Sequence, residues 1–291
     1  VVQIPQKLQA RASSTGNLWN SWTGDMDFDG EGTKLRPFQL SSLAHLMGLS
    51  ELVAAGNDFQ GVYFELTQDV DLGNLTLNNG SWNPIGWYAN EEEFGSDITQ
   101  GFSGNFDGCG NTISGLKIRR GGQEPDYAGL FGMVDGATIC NLNIEADEIY
   151  GGNRTGVLAG AVTGNTTIYN VQVSGYVRAL GDAGGIAGVV DGKGQRATVE
   201  NCAARGIAIL SEGGSSFVGG IAGRADDADF ADNVVMTQNG NGDRIRGSGY
   251  VGGITGRMEN ANLYNSYVEG TIGGNGAKAV GGMVGMYDSG N

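Results

Sequence analysis

One short pattern recurs along this chain, and its period limits the fold more than any other feature. The segments "FSGNFDG", "LFGMVDG", "VLAGAVTG", "GIAGVVDG", "GIAGRADD", "GITGRMEN" and "GMVGMYDS" share a glycine, at Gly104, Gly132, Gly160, Gly188, Gly223, Gly256 and Gly285. The intervals are 28, 28, 28, 35, 33 and 29 residues. A second landmark follows five of these glycines, an asparagine inside an apolar pattern. It is Asn141 in "TICNLNI", Asn170 in "TIYNVQV", Asn201 in "TVENCAA", Asn233 in "FADNVVM" and Asn265 in "LYNSYVE". In the first copy the matching segment, "TISGLKI", holds Gly115.

Few architectures have this period. Helical repeats need an apolar stripe every 3.6 residues and tolerate so much glycine badly. A propeller blade needs about 40 residues and four strands. Three short strands joined by turns fit the length, since ~3.3 Å per residue gives a compact triangular coil. One such coil cannot bury its inner face alone, so coils must stack and pair strand on strand. The expected fold is therefore all-β, a parallel β-helix or β-solenoid of ~28–35-residue coils. The asparagines Asn141, Asn170, Asn201, Asn233 and Asn265 are expected to form a ladder with amides bonded along the stack. The glycines are expected to serve positive φ or close backbone approach.

Composition agrees with turns between short strands. Glycine numbers 54 and proline 4, with no three-residue period, which excludes collagen, and 40% hydrophobic residues argue against disorder. A formal charge of −15 disfavours nucleic acid, which needs a basic surface, and fits an extracellular or salty setting. Cys109, Cys140 and Cys202 are odd in number and form no CxxC, so they are expected to be buried single thiols. No apolar run approaches the ~20 residues of a membrane span. One segment is helical: Ser41 to Asn57 places Leu43, Leu46, Met47, Leu52 and Val53 on one face, with Gly56 as its stop. A short N-terminal capping helix would cover the open end of the first coil. Residues 1–17 read as a polar arm, 18–101 as lead-in coils with the cap, and 102–291 as seven repeats with the last truncated. All belong to one elongated domain.

The segments "AGLFG", "GGIAG" and "GGITG" resemble the GLUG-motif repeat of bacterial surface proteins. Such repeats occur upstream of the catalytic domain in immunoglobulin A-cleaving metallopeptidases and in adhesin-like proteins. The stretches "WTGDMDFDGEGTKLRPFQLSSLAHL", "YFELTQDVDL", "WNPIG" and "FSGNFDGCGNTISGLKI" resemble sequence that leads into such repeats, so the likeness runs from Trp19 to Asn291. It implies a right-handed parallel β-helix, secreted or on the bacterial cell surface, and transfers no activity. Two departures stand out: the acidic insertion "YANEEEFGSDITQ", Tyr88 to Gln100, and an end partway through a repeat. The second leads us to expect a monomeric part of a longer chain.

A single histidine, His45, rules out HExxH and leaves a Ser-His-Asp triad only if His45 serves it. Its expected role is surface or cap packing. Paired carboxylates suffice for glycoside hydrolysis, and "RADDADFADN" offers Asp226, Asp227, Asp229 and Asp232. Acids at such a turn more commonly solvate it. For binding, the segments ahead of the glycine landmarks vary in length and should share one corner, the longest being residues 238 to 249 with Arg244 and Arg246. Trp82, Trp87 and Tyr88 could stack on a sugar face, against the favoured alternative that Trp82 and Trp87 fill the core. "DMDFDG" opens like a calcium loop with Asp25, Asp27 and Asp29, yet its twelfth position is Arg36 where a glutamate is needed. A loop-stiffening structural Ca2+ is the remaining cofactor expectation there, beside the turn preference of Asp and Gly.

These features lead us to expect a non-catalytic, adhesin-like or stalk module presenting loops to a host or matrix glycan or protein, with no nucleic acid and no membrane insertion. The alternative is a carbohydrate-active β-helix using carboxylates around Asp226–Asp232.

Overall fold

The computed structural model describes residues 24–76, 80–86, 101–119, 121, 124–238, 244–274 and 276–289. It is a parallel β-solenoid. One coil runs through Tyr127–Ala128, Phe131–Asp135 and Thr138–Gly151, and the next through Arg154–Thr155, Ala159–Thr163 and Thr167–Ala179. Each strand pairs in parallel with its counterpart one coil on. Three sheets result among the described residues. Sheet I, with 15 strands, carries the long strands such as Thr138–Gly151 and Thr167–Ala179. Sheet II contains Phe131–Asp135 and sheet III Tyr127–Ala128, with six strands each. Residues alternate between core and solvent as the pleat demands: Ile139, Leu142, Ile144 and Ile149 are buried in one coil, Ile168, Val171, Val173 and Val177 in the next. One continuous apolar core extends from Phe28 to Ala261.

The landmark glycines stack. Ala159 pairs with Phe131 and Ala161 with Met133, so Gly160 stands beside Gly132, and the same register continues through Gly188, Gly223, Gly256 and Gly285. None of these six has a positive φ. Close approach is what requires them. A Cβ on Gly188 would lie 2.3 Å from the Thr155 nitrogen, and one on Gly256 2.3 Å from the Val218 nitrogen. Sheets II and III therefore meet with backbone against backbone. Gly104 is not part of this column. Ile85 bridges to Phe131, so Gly86 of "WNPIG" takes that place, and Gly104 sits against the Phe102 ring.

The asparagines mark a corner inside sheet I. Asn141, Asn170, Asn201 and Asn265 all adopt left-handed backbone, with φ between 44° and 52°. Asparagine tolerates this region better than other side-chain-bearing residues, and the sharp bend it makes turns the sheet. The ladder is shorter than expected: Asn170 Nδ2 donates to Asn141 Oδ1 at 2.8 Å, and Asn141 Nδ2 to Asp107 Oδ1 at 3.0 Å. Asn233 does not belong to it. The register pairs Glu200 with Ala231, which sets Asp232 (φ 56°) beside Asn201. Asn233 lies one residue further, fully buried, donating to the Val199 carbonyl and accepting from Cys202 N–H. Gly115 is also displaced, to a bulge further along sheet I shared with Gly175 and Gly206, and "GCGN" makes the asparagine corner of its coil.

The helix spans Leu43–Ala54, capped by the Ser42 hydroxyl, which accepts from His45 N–H. At its other end Gly56 N–H donates to Val53 and Asn57 N–H to Leu52, with Gly56 at φ 100°, a Schellman arrangement. Leu46, Met47, Leu49, Leu52 and Val53 are buried, so the core face includes Leu49 beyond the expected set.

These contacts predict unequal glycine tolerance. Gly188→Ala should cost more than ~2 kcal/mol, because the new methyl meets backbone that cannot yield. Gly214→Ala, where nothing lies within 4 Å, should stay within ~0.5 kcal/mol. Denaturant melts of the two variants provide the comparison.

Candidate functional site

The second corner of sheet I builds a concave surface near the expected binding loop. Register shifts fall between Val173 and Gly175 and between Arg205 and Ile207, where Gly175 (φ 119°) and Gly206 (φ 59°) bend the strands. One coil on, the strand Val234–Thr237 ends and Ile245–Arg246 resumes the sheet. Gly270, at φ 141°, marks the corner again in the following coil. Between these coils lies an open cleft of about 400 Å³ lined by Arg205, Met236, Thr237, Gln238, Glu269 and Thr271. Nothing lies within 4 Å of where a Gly206 side chain would project. The Arg205 guanidinium donates to the Met236 sulfur, and Glu269 accepts from Tyr267 Oη at 3.1 Å. A cation, two threonine hydroxyls, an amide and one carboxylate suit hydrogen bonding to a polar ligand. They do not supply the carboxylate pair of glycoside hydrolysis.

The expected loop divides between two corners. Gln238 N–H bonds back to Ile207, which places Gln238 at the bulge corner beside the cleft. Residues 247–249 instead join the other variable segments: Ser248 Oγ donates to Gly213 at 2.7 Å, Gly181 N–H to Gly152, and Lys278 N–H to Gly249. Those segments do share one corner, as expected, but Gln238 and Arg244 are not among them. Arg244 sits on the cleft side, its N–H donating to Thr271 at 3.1 Å, and Arg246 projects from the strand that follows. Residues 239–243, Trp87 and Tyr88 lie outside the described residues. Trp82 is fully buried and donates from Nε1 to the Leu130 carbonyl, a core role.

The carboxylates of "RADDADFADN" do not converge. Asp226 ends a strand of sheet II, Asp227 and Asp232 hold left-handed turn positions, and Asp229 lies on sheet I. Asp229 takes three hydrogen bonds from the Arg196 guanidinium and one from Asn262, which hold its carboxyl below the usual range. Asp227 Oδ2 accepts Gly194 N–H across the turn. Asp226 stacks in register between Asp191 and Glu259, and its Oδ1 has no hydrogen-bond partner. Burial first, then Glu259, Asp227 and Asp191, raise its pKa.

"DMDFDG" is an extended segment laid against the cap helix. Met26 is half-buried and Phe28 buried, so the alternation turns Asp25, Asp27 and Asp29 toward solvent. Asp25 Oδ1 accepts Asp27 N–H, and Asp25 N–H donates to Ala44 at 2.9 Å. Among the described residues no three of His, Cys, Asp and Glu come together as a metal-holding group. Arg36 pairs with Glu31. His45 does acquire triad-type neighbours, with Asp25 Oδ2 3.5 Å from Nε2 and Ser41 Oγ 3.4 Å from Nδ1. Nδ1 already accepts Ser41 N–H at 3.1 Å, so the ring clamps two chain segments together.

Sequence reasoning missed a strip on sheet III. Tyr127, Arg154, Asp182, Phe217 and Tyr250 share one column. Phe217 and Tyr250 stack at 5.5 Å, Arg257 covers Phe217 at 5.6 Å and Lys278 covers Tyr250 at 5.7 Å. Arg257 also pairs with Glu259 and Asp288, and Arg224 with Asp182. The signal was an aromatic or charged residue five or six positions ahead of five of the landmark glycines, Gly132, Gly160, Gly188, Gly223 and Gly256.

No family model matches the chain. It is similar to halomucin of Haloquadratum walsbyi, 34% identical over 168 residues, and to a candidate Gly-rich membrane protein of Evansella cellulosilytica, 34% identical over 148 residues. The matches cover 56% and 50% of this chain but only 2% and 15% of those proteins. The fold is similar to the crystal structure of a candidate immunoglobulin A1 protease of Bacteroides ovatus, with a TM-score of 0.65 and 22% identity, over 88% of this chain and 73% of that one.

Two outcomes follow from the acids. The raised folded pKa of Asp226 makes its charge a penalty that is absent below the unfolded value and complete above the folded one. Asp226→Asn should therefore raise the melting temperature by ~2 °C at neutral pH, with the gain fading as pH falls through the folded value toward 3.8. Because Asp25, Asp27 and Asp29 spread along solvent, melting should be the same in millimolar calcium and in chelator.

Proposed function

We propose that the chain is a non-catalytic module of a secreted or cell-surface protein, a stalk that presents a ligand-binding corner to a glycan or protein. The observation that carries this reading is the polar cleft of Arg205, Thr237, Gln238, Glu269 and Thr271, opening where one coil is lengthened. Lengthened loops on a regular scaffold are where binding residues concentrate. The rest of the described chain repeats a backbone solution. The names of the two relatives, a halomucin and a Gly-rich membrane protein, favour a surface setting. The glycine column favours a GLUG-type repeat as its origin. No described helix is long and apolar enough to cross a membrane.

The second reading, a polysaccharide hydrolase or lyase, draws on Asp226, stacked between Asp191 and Glu259, whose raised pKa is a property of proton-donating carboxylates. Its partners Asp227 and Asp229 are held by Gly194 and Arg196.

Arrays of glycans and host proteins, followed by titration of any hit, separate the readings. Saturable binding that weakens about tenfold in Arg205→Ala, or ~1.4 kcal/mol, is expected. New reducing ends or unsaturated products from a polysaccharide panel, abolished by Asp226→Asn, would overturn the binding module. Failure of every probe to bind would reduce the chain to a spacer.

A further inference from the structure

Two of the three cysteines meet at one corner, which their sequence spacing does not announce. Asp107 of the strand Asn105–Asp107 pairs in register with Cys140 of the strand Thr138–Gly151. Past Asp107 the chain makes the extra turn "GCGN", where Cys109 takes left-handed backbone at φ 52° and Gly110 at φ 80°. Gly108 N–H donates to the Cys140 carbonyl at 2.8 Å, and Gly110 N–H to the Asn141 carbonyl at 2.7 Å. These two bonds bracket Cys109 and hold its backbone against the Cys140–Asn141 peptide of the next coil.

Both thiols belong to the outer side of that corner. Cys109 is exposed, and Cys140 falls in the outward column of Asp107, Tyr169 and Glu200, covered to 5% exposure. One hydrogen-bonded cluster joins them. Asp107 Oδ1 accepts Cys109 N–H at 2.8 Å and Asn141 Nδ2 at 3.0 Å, and the same Asn141 amide donates to Cys140 Sγ at 3.6 Å. Cys202 stands apart in the core, bonded to the Glu200 and Ile168 carbonyls. The sequence expectation of three buried single thiols therefore holds for Cys140 and Cys202 and fails for Cys109.

We propose that Cys109 and Cys140 are an oxidisable pair that closes to a disulfide between adjacent coils, with a low-molecular-weight disulfide such as glutathione disulfide as oxidant. The exposed Cys109 thiolate attacks one sulfur of the oxidant, forming a mixed disulfide and releasing one thiolate. Cys140, deprotonated, then attacks the Cys109 sulfur and releases the second. Two protein thiols are oxidised, one disulfide is reduced to two thiols, and the two protons end on those leaving groups. The bridge replaces two ionisable groups crowded against Asp107 with a neutral link, and it staples the coil that contains Asn105–Asp107 to its successor. Burial and Asp107 push the Cys109 thiol up to about 11, so thiolate is scarce at neutral pH and closure speeds up as pH rises.

The full chain is incubated with glutathione disulfide at about pH 9, alkylated in denaturant, and analysed by intact mass and peptide mapping. Titratable thiols should fall from three to one, the mass should drop by two hydrogens, and a Cys109–Cys140 peptide should appear. The melting temperature should rise, because the link shortens the unfolded chain's excursions. Closure should accelerate about tenfold per pH unit below the thiol pKa. Cys109→Ser and Cys140→Ser should each lose the two-hydrogen drop. Three titratable thiols at equilibrium with the oxidant, a product that stops at the Cys109 mixed disulfide, or a Cys109-linked dimer would each overturn the proposal.

Discussion

Parallel pairing of each strand with the strand one coil on is the interaction from which the rest of this molecule follows. It fixes an axial step of ~4.8 Å and demands that the backbone return to the same place once per coil. Where sheets II and III approach, no room remains for a Cβ, so Gly132, Gly160, Gly188, Gly223, Gly256 and Gly285 form a column without side chains. The same requirement bends sheet I at Asn141, Asn170, Asn201, Asp232 and Asn265, where left-handed backbone makes the corner. Core residues then need only be apolar and of fitting size, which explains the mixture of Val, Ile, Ala and Leu at equivalent inward positions.

Stacking leaves an open face at the first coil, and the helix Leu43–Ala54 covers it. The acidic segment that begins the described chain is part of this closure. Gly24 and Gly48 approach so closely that neither could carry a methyl group, and His45 ties Asp25 to the helix start. A pattern that mimics a calcium loop in sequence is, in three dimensions, an extended strap with its acids turned outward.

The repeat and the cap were legible because both depend on local chemistry: glycine at a contact, asparagine at positive φ, and an apolar stripe ended by Gly56. The misassignments share a cause, which is register. "ADN" contains two residues able to hold the left-handed corner, and only pairing with Glu200 and Asn201 selects Asp232 over Asn233. Gly115 and Gly104 look like repeat landmarks, yet a bulge and an aromatic contact account for them. The cleft at Gly206 and Gly270 arises from bulges in neighbouring coils, and the meeting of Cys109 with Cys140 from one extra turn. Neither leaves a periodic trace. The acidic stack of Asp191, Asp226 and Glu259 was hidden for the same reason, since its members come from different coils.

The landmark glycines also bear on how such a chain can change. Coils differ in length, with intervals from 28 to 35 residues, while the paired strands keep the same alignment. All of the variation is expelled at corners. An unequal genetic exchange between two equivalent glycine codons would thus delete or duplicate a whole coil and leave its neighbours with compatible faces. Reach from a surface could be reset in fixed steps by recombination, while the cleft-bearing coil travels unchanged to a new height.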